Sequence, residues 1–291
     1  MSERLHVEEP EQLLSFLRSR LEGWTVRTLK KRLRFGCILV NGERATRHDH
    51  ALVAGDQVEV APMGGGATGS AVIRANSAFT IIYADDDLIV IDKPAGLLSV
   101  STDVEQTRTA LALLKESLST LRHSMLLWPV HRLDRETSGV LIFAKSREMR
   151  DQMQANWKQA KKLYLAVVEG YPEPADDVID QPLFEDRHLN VRVGTGDNCL
   201  DAVTRYRTRE RRKGRTLLEV KIDTGRRHQI RAHLAWLGNP VVGDRRYGIK
   251  GKRLGLHAVE LSVPNPKTGE IMTFNAQPPR PFTALLSGDK D

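Results

Sequence analysis

The sequence predicts an α+β protein: a small module of helices and strands, a tether, and a larger domain built on a sheet. Two helical patterns followed by short strands fill the first sixty residues, and a glycine run follows at Gly64, Gly65, Gly66, Gly69 and Ser70. Beyond it strands outnumber helices and few alternate regularly with them, which argues against a doubly wound sheet. The expected parts are residues 1–62, a flexible linker over 63–76, and residues 77–291. At 291 residues the chain can bury a sizeable core.

The charge balance narrows the partners. Forty-four Lys and Arg against 37 Asp and Glu give a net charge of +7, which favours a polyanion: nucleic acid first, an acidic membrane surface second. No run of about 18 apolar residues occurs, and the N-terminus lacks the basic-then-apolar order of a signal peptide, so a cytoplasmic protein with no membrane partner is expected. Cys37 and Cys199 lie far apart and outside any Cys-x-x-Cys pattern, which supports neither a disulfide framework nor a thiolate zinc site.

Pro10 opens a helical pattern in which Leu13, Leu14, Leu17 and Leu21 recur at three- and four-residue spacing. In a second helix Thr25 is the cap, Val26, Leu29 and Leu33 form the apolar stripe, and Gly36 ends it. Arg27, Lys30, Lys31, Arg32 and Arg34 crowd its polar side without interleaved acids. A solvated face is the plain reading of such a run, and a face that lies along a phosphate backbone is the alternative. Short strands follow at Ile38-Leu39-Val40, Ala51-Leu52-Val53 and Val58-Glu59-Val60, with Asn41-Gly42 as a turn between the first two. The linker has a mean reach of roughly 20 Å, and tying two weak contacts together raises the effective concentration of the second.

In the larger part, strands are expected at 79–83 and 88–91 about an Asp85-Asp86-Asp87 turn, and Lys93-Pro94-Ala95-Gly96 breaks the second. A helix is expected over 104–120. Ser146 caps another carrying Met149, Met153 and Trp157, a stripe that reads most simply as core. Further strands are expected at 162–168, 202–207, 216–222, 257–263 and 271–275.

Two segments carry chemistry. His131-Arg132-Leu133-Asp134-Arg135-Glu136-Thr137-Ser138-Gly139 is a polar loop immediately before the apolar run Val140-Leu141-Ile142-Phe143-Ala144. A buried strand would hold Asp134 still, as a nucleophile requires; a turn residue or a surface ion pair is the plain alternative. The second segment, Asp223 to Leu234, reads as strand, glycine turn and helix, with Ile230, Leu234 and Leu237 on the buried side and Gly238-Asn239-Pro240 as the stop. His228 and Arg231 share a face at its first turns. The dipole there disfavours an Arg, so a carboxylate or phosphate nearby would account for it.

In order along the chain, Asp92-Lys93-Pro94-Ala95-Gly96-Leu97, His131-Arg132-Leu133-Asp134 with Thr137-Ser138-Gly139, Lys162-x-Tyr164-x-Ala166, Gly225-Arg226-x-His228-Gln229-Ile230-Arg231, Gly243-Asp244 and Leu256-His257-Ala258 closely resemble the RluA-type RNA pseudouridine synthases. Residues 11 to 60 resemble the small S-four-like RNA-binding domain, on Leu29-Lys30-Lys31-Arg32-Leu33, Ile38 to Gly42 and Gly55-Asp56-Gln57-Val58. Arg227 departs from the first pattern, where relatives commonly carry a small or hydroxylated residue.

The resemblance implies a mixed, largely antiparallel sheet flanked by helices and loops. It implies isomerisation of a uridine within RNA, breaking the bond from C1′ to N1 and joining C1′ to C5, with no metal and no cofactor. Asp134 is then the catalytic carboxylate, by addition to a carbon or by promoting elimination from the ribose. Arg231 pairs with it and aims it, and Tyr164 lies against the uracil. His131, Arg132, Arg226, His228 and Gln229 are expected at the substrate, with Arg132 occupying the stack that the flipped base vacates. Arg27, Lys30, Lys31 and Arg34 are expected on RNA. The appended basic module favours large-subunit ribosomal RNA over transfer RNA, and a monomer is expected.

Three rivals remain at this stage. The first is an RNA-binding assembly factor without catalysis. A glycoside hydrolase needs two carboxylates across a sugar, and Glu136 offers no opposing partner for Asp134. A metal-dependent hydrolase would draw on His131, His228, His233 or His257, of which His228 and His233 point from different sides of a helix.

Overall fold

The computed structural model describes residues 3–21, 23–34, 38–45, 47–60, 73–75, 79–101, 105–118 and 126–287. The expectations for Gly36, Cys37 and the glycine run at 64–70 lie outside these residues, as do those for the side chains of Arg27, Lys31 and Arg34. Two compact units make up the chain, Met1–Ile73 with Ile81–Asp86, and Arg74–Thr80 with Asp87–Asp291.

In the first unit a sheet runs in the order β1 (Glu3–His6), β4 (Gln57–Val60), β2 (Ile38–Val40), β3 (Glu43–Arg44). Helices α1 (Leu13–Arg20) and α2 (Val26–Arg34) cover it. Leu13, Phe16, Leu17, Leu29 and Leu33 are buried in one core with Ile38 and Val58. Thr25 caps α2, its Oγ1 accepting the Thr28 N–H at 3.2 Å, and Asn41 and Gly42, both at positive φ, turn β2 into β3. Three readings need correction. Glu11–Gln12 pair with Ala51–Leu52 as strands, so α1 starts at Leu13 and Pro10 does not open it. Val26, at the first position of α2, is exposed, which leaves Leu29 and Leu33 as the buried stripe. Strand β1 was not expected, because the charged and polar Glu3, Arg4 and His6 mask the alternation of an edge strand.

A sheet in the order β10 (Asp176–Asp180), β11 (Val203–Arg212), β12 (Arg215–Ile222), β9 (Lys161–Glu169), β13 (Leu256–Pro264), β8 (Ser138–Ala144), β7 (Leu88–Lys93), β6 (Phe79–Ala84), β5 (Ile73–Ala75) organises the second unit, the residues of β6 and β5 being divided between the two units. Off this path β14 (Ile271–Asn275) pairs with β13, and Trp128–Pro129 pair with β8. Among the described strands the pairings are antiparallel except β8 with β13, which run parallel through Ser138 and Gly139 against His257 and Ala258. The sheet is therefore mixed and largely antiparallel, as expected. Strand β5 falls inside the segment read as linker.

Burial follows from pattern. All seven residues of β8 are buried, which is why its apolar run has no alternation. On β9, Ala166 and Val168 pack with Ile230 and Leu234 of α5 (Gln229–Trp236), whereas Val167 packs with Phe282 and Leu286 of α6 (Arg280–Ser287). The two-residue period then turns Tyr164 and Lys162 to the α5 side. Helix α3 spans Ala110–Leu118 and starts later than expected, because residues around Glu105 form turns in which its carboxylate accepts the N–H groups of Thr107 and Arg108; positions 104, 119 and 120 of the expected helix lie outside the described residues. Ser146 caps α4 (Arg147–Ala155), accepting the Met149 N–H. Trp157 stands beyond that helix in a single 3-10 turn, Trp157–Gln159, and is only half buried; the reading of it as core is wrong.

Gly139 is the tightest point of the sheet. It has φ +115°, and a Cβ there would overlap the carbonyl of Ala258 on the parallel neighbour. Gly139→Ala is expected to cost on the order of 3 kcal/mol or more, read as a fall in the denaturant midpoint; unchanged stability would mean that β8 and β13 do not approach this closely.

Candidate active site

The loop between Trp128–Pro129 and β8 is held by hydrogen bonds on both sides of Asp134. Ser99 Oγ donates to the Leu133 carbonyl at 2.8 Å and accepts the Leu133 N–H at 3.0 Å. One residue past the aspartate, the Arg135 carbonyl accepts the Gly96 N–H at 2.9 Å and the Lys93 ammonium at 3.1 Å. Lys93 is fully buried and also donates to the carbonyls of Leu97 and Pro94. Burial pushes its ammonium down to about 7, against the opposing charges of Asp134 and Glu136. With Leu133 itself buried, the backbone leaves the Asp134 side chain as the part that faces outward.

The opposite wall is the start of α5. Arg231 donates from Nε and Nη2 to the two oxygens of Asp244 at 2.7 and 2.8 Å, and from Nη1 to Asp134 Oδ2 at 3.1 Å. Burial opposes the guanidinium charge, but the hydrogen bonds and charges of Asp244 and Asp134 outweigh it and hold the pKa above its ordinary value. Asp244 is fully buried; burial works against its charge and Arg231 overcomes this, so its carboxyl lies below the usual range. Among the described residues Asp134 Oδ1 has no hydrogen-bond donor. One carboxylate oxygen is thus anchored and the other is open to the cleft.

His228 precedes α5 in the left-handed conformation, φ 52°. Its Nε2 lies 3.7 Å from Asp134 Oδ2 and its Nδ1 lies 2.9 Å from the Tyr247 hydroxyl, which accepts the Val191 N–H at 3.0 Å. If Tyr247 donates to Nδ1, all three groups are satisfied and His228 presents Nε2–H to the cleft. Burial pushes its pKa down to about 4, with Asp134 opposing the shift. Tyr164 faces the same space; its phenol is raised by desolvation and then by the Asp134 charge.

These groups line a cleft of about 560 Å³. Its walls bring together Asp134, Tyr164, Arg231, His131, Arg132, Arg226, His228 and Gln229, all of the expected residues of the larger part, and add Trp157, Lys162, Arg150 and Gln154. Two of the expected contacts differ in kind. Gln229 is buried and its amide is saturated by Thr224, the Arg226 N–H, the Val203 carbonyl and Thr204, so it shapes the loop and has nothing left for a ligand. His131 stacks on Trp157 at 4.9 Å and its Nε2 accepts the Ile142 N–H, which makes it a brace for the loop. Arg226 donates to the Asp201 carbonyl, and Arg227, the departure from the family pattern, is paired with Glu185 at 2.7 Å. Arg132 is exposed at the rim. In the first unit Lys30 is exposed on α2 beside Arg47 and His48.

Tyr247 and Lys93 carry no local sign of their role, since a buried lysine and a loop tyrosine are identified only by what they touch. The rival chemistries lose ground. Among the described residues Asp134 is the one acid lining the cleft, so no second carboxylate for a glycoside hydrolase is found there. His233 and His257 are committed to Thr204 and Gln181, and to Ser138 and Ala276.

The chain has relatives among known proteins. Residues 87–236 match the family described as RNA pseudouridylate synthase. The chain is 31% identical over 288 residues to an uncharacterized RNA pseudouridine synthase of Bacillus subtilis, YlyB, covering 96% of this chain and 94% of the relative. It is 33% identical over 294 residues to ribosomal large subunit pseudouridine synthase D of Xanthomonas campestris, covering 94% and 84%. Among solved structures it resembles human RNA pseudouridylate synthase domain containing 4, with TM-score 0.59 and 26% identity, over 70% of this chain and 90% of that one.

The brace at His131 gives a pH signature. Desolvation lowers its pKa to about 3, against about 6.5 unfolded. The unfolded state therefore binds more protons between these values, and stability falls as pH drops through that window. His131→Gln keeps an acceptor for Ile142 and is expected to flatten the dependence of unfolding free energy on pH between 6 and 4, by up to about 1.4 kcal/mol per pH unit. Parallel curves for the two proteins would show that His131 is not held neutral.

Proposed function

The chain belongs to the RluA-type RNA pseudouridine synthases, isomerases of uridine in RNA, and from that premise we propose that Asp134 is its catalytic carboxylate and large-subunit ribosomal RNA its substrate. The observation that carries the first part is the line Asp244, Arg231, Asp134. It leaves one Asp134 oxygen gripped at 3.1 Å and the other open to the cleft.

In the reaction the bond from C1′ to N1 breaks, C1′ joins C5, the hydrogen on C5 is lost and N1 gains one. Asp134 serves either route, by adding to a carbon or by promoting elimination from the ribose. Arg231 aims the carboxylate through a charge-assisted hydrogen bond, and Tyr164 is the wall against which the detached uracil stacks while its hydroxyl stays protonated. A uridine in a stem must leave the stack to reach this depth, at a cost of a few kcal/mol. Arg132, exposed on the rim, fills the vacated position. His228 offers a neutral hydrogen-bond donor beside the carboxylate. His131 and Gln229 act through the loop they hold.

The relative from Xanthomonas campestris carries the name ribosomal large subunit pseudouridine synthase D and aligns over 94% of this chain, which supports ribosomal RNA as the target. The N-terminal unit, with its exposed Lys30 and the basic pattern at Arg27, Lys31 and Arg34, is read as an S-four-like domain that adds affinity for the same RNA. The reading carries with it action as a monomer and a cytoplasmic place of work.

Pseudouridine mapping in total RNA, from cells with the gene intact, deleted, or restored with Asp134→Asn, tests both parts. The expected result is one or more large-subunit positions that lose the modification on deletion and stay unmodified with the variant. Restoration by Asp134→Asn overturns the catalytic assignment, and loss confined to transfer RNA overturns the target.

A further inference from the structure

Lys162 lies two residues before Tyr164 on β9, on the same face, about 7 Å away along the strand. Both line the cleft. Its ammonium is half buried and has no hydrogen bond or ion pair among the described residues; the Trp157 ring lies 5.9 Å away, Nζ to centroid. Burial lowers its pKa, and the one acid that opposes this, Asp223, is bonded to Arg205 at 3.0 Å.

The other cations of the cleft are placed differently. Arg231 is committed to two carboxylates, Arg150 to Asp151 at 2.6 Å, Arg226 to a backbone carbonyl, and Arg132 is in solvent. Lys162 bears a desolvation cost that Asp223 opposes without bonding to it, and its ammonium has no hydrogen-bond or ion-pair partner among the described residues. A ligand that brings a negative charge would offset it. The uracil ring brings none, whereas the strand that carries it has a phosphate at each nucleotide. A compact ammonium on a flexible stem suits a phosphate oxygen, which asks for charge more than for a fixed fork. Trp157, itself stacked on His131, stands beside the ammonium.

We propose that Lys162, beside Trp157, forms a phosphate subsite that holds the RNA backbone next to the nucleotide stacked on Tyr164. This rests on the reading of Tyr164 as the wall of the base site. Lys162 thereby fixes where the strand enters, so that the distance from Lys162 to Tyr164 sets how deep the flipped nucleotide can reach.

The test is filter binding of the full chain to an unmodified transcript of large-subunit ribosomal RNA across a salt series, which needs no turnover. Tritium release from C5-labelled uridine in the same transcript is followed alongside. Lys162→Met is expected to weaken binding and to reduce the slope of log affinity against log salt by about 0.9 for a helical contact, or about 0.7 for a single strand. Lys162→Arg should restore the slope, and Arg207→Met, which removes a cation already paired with Asp176 outside the cleft, should leave it unchanged. A slope for Lys162→Met equal to that of the unaltered protein overturns the subsite, whether or not affinity falls. Absence of tritium release from the unaltered protein is a failure of the target reading, seen separately from the slope. Thermal midpoints of the variants, matched to the unaltered protein, exclude misfolding as the cause of a weaker complex.

Discussion

The site depends on a buried guanidinium that has to satisfy two carboxylates at once. Arg231 could not be held where it is by Asp134 alone, because a single partly exposed acid does not offset the desolvation of a buried cation. Asp244 supplies the missing compensation: its oxygens take two guanidinium N–H groups and the backbone N–H groups of Arg246 and Tyr247. Two negative charges and one positive leave a net negative charge, and geometry puts it on the cleft side, at Asp134. Removal of either member of such a buried pair strands a charge at a cost of about 3–5 kcal/mol. Positioning and folding are therefore the same interaction at this point.

The sheet supplies the rest of the precision. Strand β9 presents Lys162 and Tyr164 to one side and Leu165 and Val167 to the other, so the strand that lines the cleft is also the layer between α5 and α6. The Asp134 loop is fastened at the residues immediately before and after the aspartate. Little conformational entropy remains to be lost there when substrate binds. Lys93 shows the cost of this arrangement: a cation with no solvent, spent on three carbonyl oxygens.

Much of this was legible in the residues. The unbroken apolar run after Gly139 announced a fully buried strand, the pattern from Ile230 to Leu234 announced a helix, and the awkward position of Arg231 near a helix N-terminus announced a carboxylate beside it. What was not legible follows from tertiary contact. The family pattern put Gln229 and His131 at the substrate, and only their saturated or stacked partners show them to be supports. Trp157 continues a four-residue spacing beyond the point where its helix ends at Ala155, so periodicity sent it to a core that the backbone never lets it enter. Tyr247 is defined by His228 and Val191, neither of which is near it in sequence. Strand β1 escaped notice because an edge strand is allowed to carry charge on both faces.

The parallel pairing of β8 with β13 has a consequence for how the protein is made. Ser138 Oγ is bonded to His257 Nδ1, 119 residues further along the chain, and Gly139 lies against Ala258. During synthesis the Asp134 loop emerges well before the strand that closes its side of the sheet. A nascent chain therefore has an unpaired apolar edge at β8 and an aspartate with neither Arg231 nor Asp244 to aim it. Competence waits for the segments that carry Arg231, Asp244 and β13 to dock, so a product interrupted before them is a sticky fragment and not a slow enzyme.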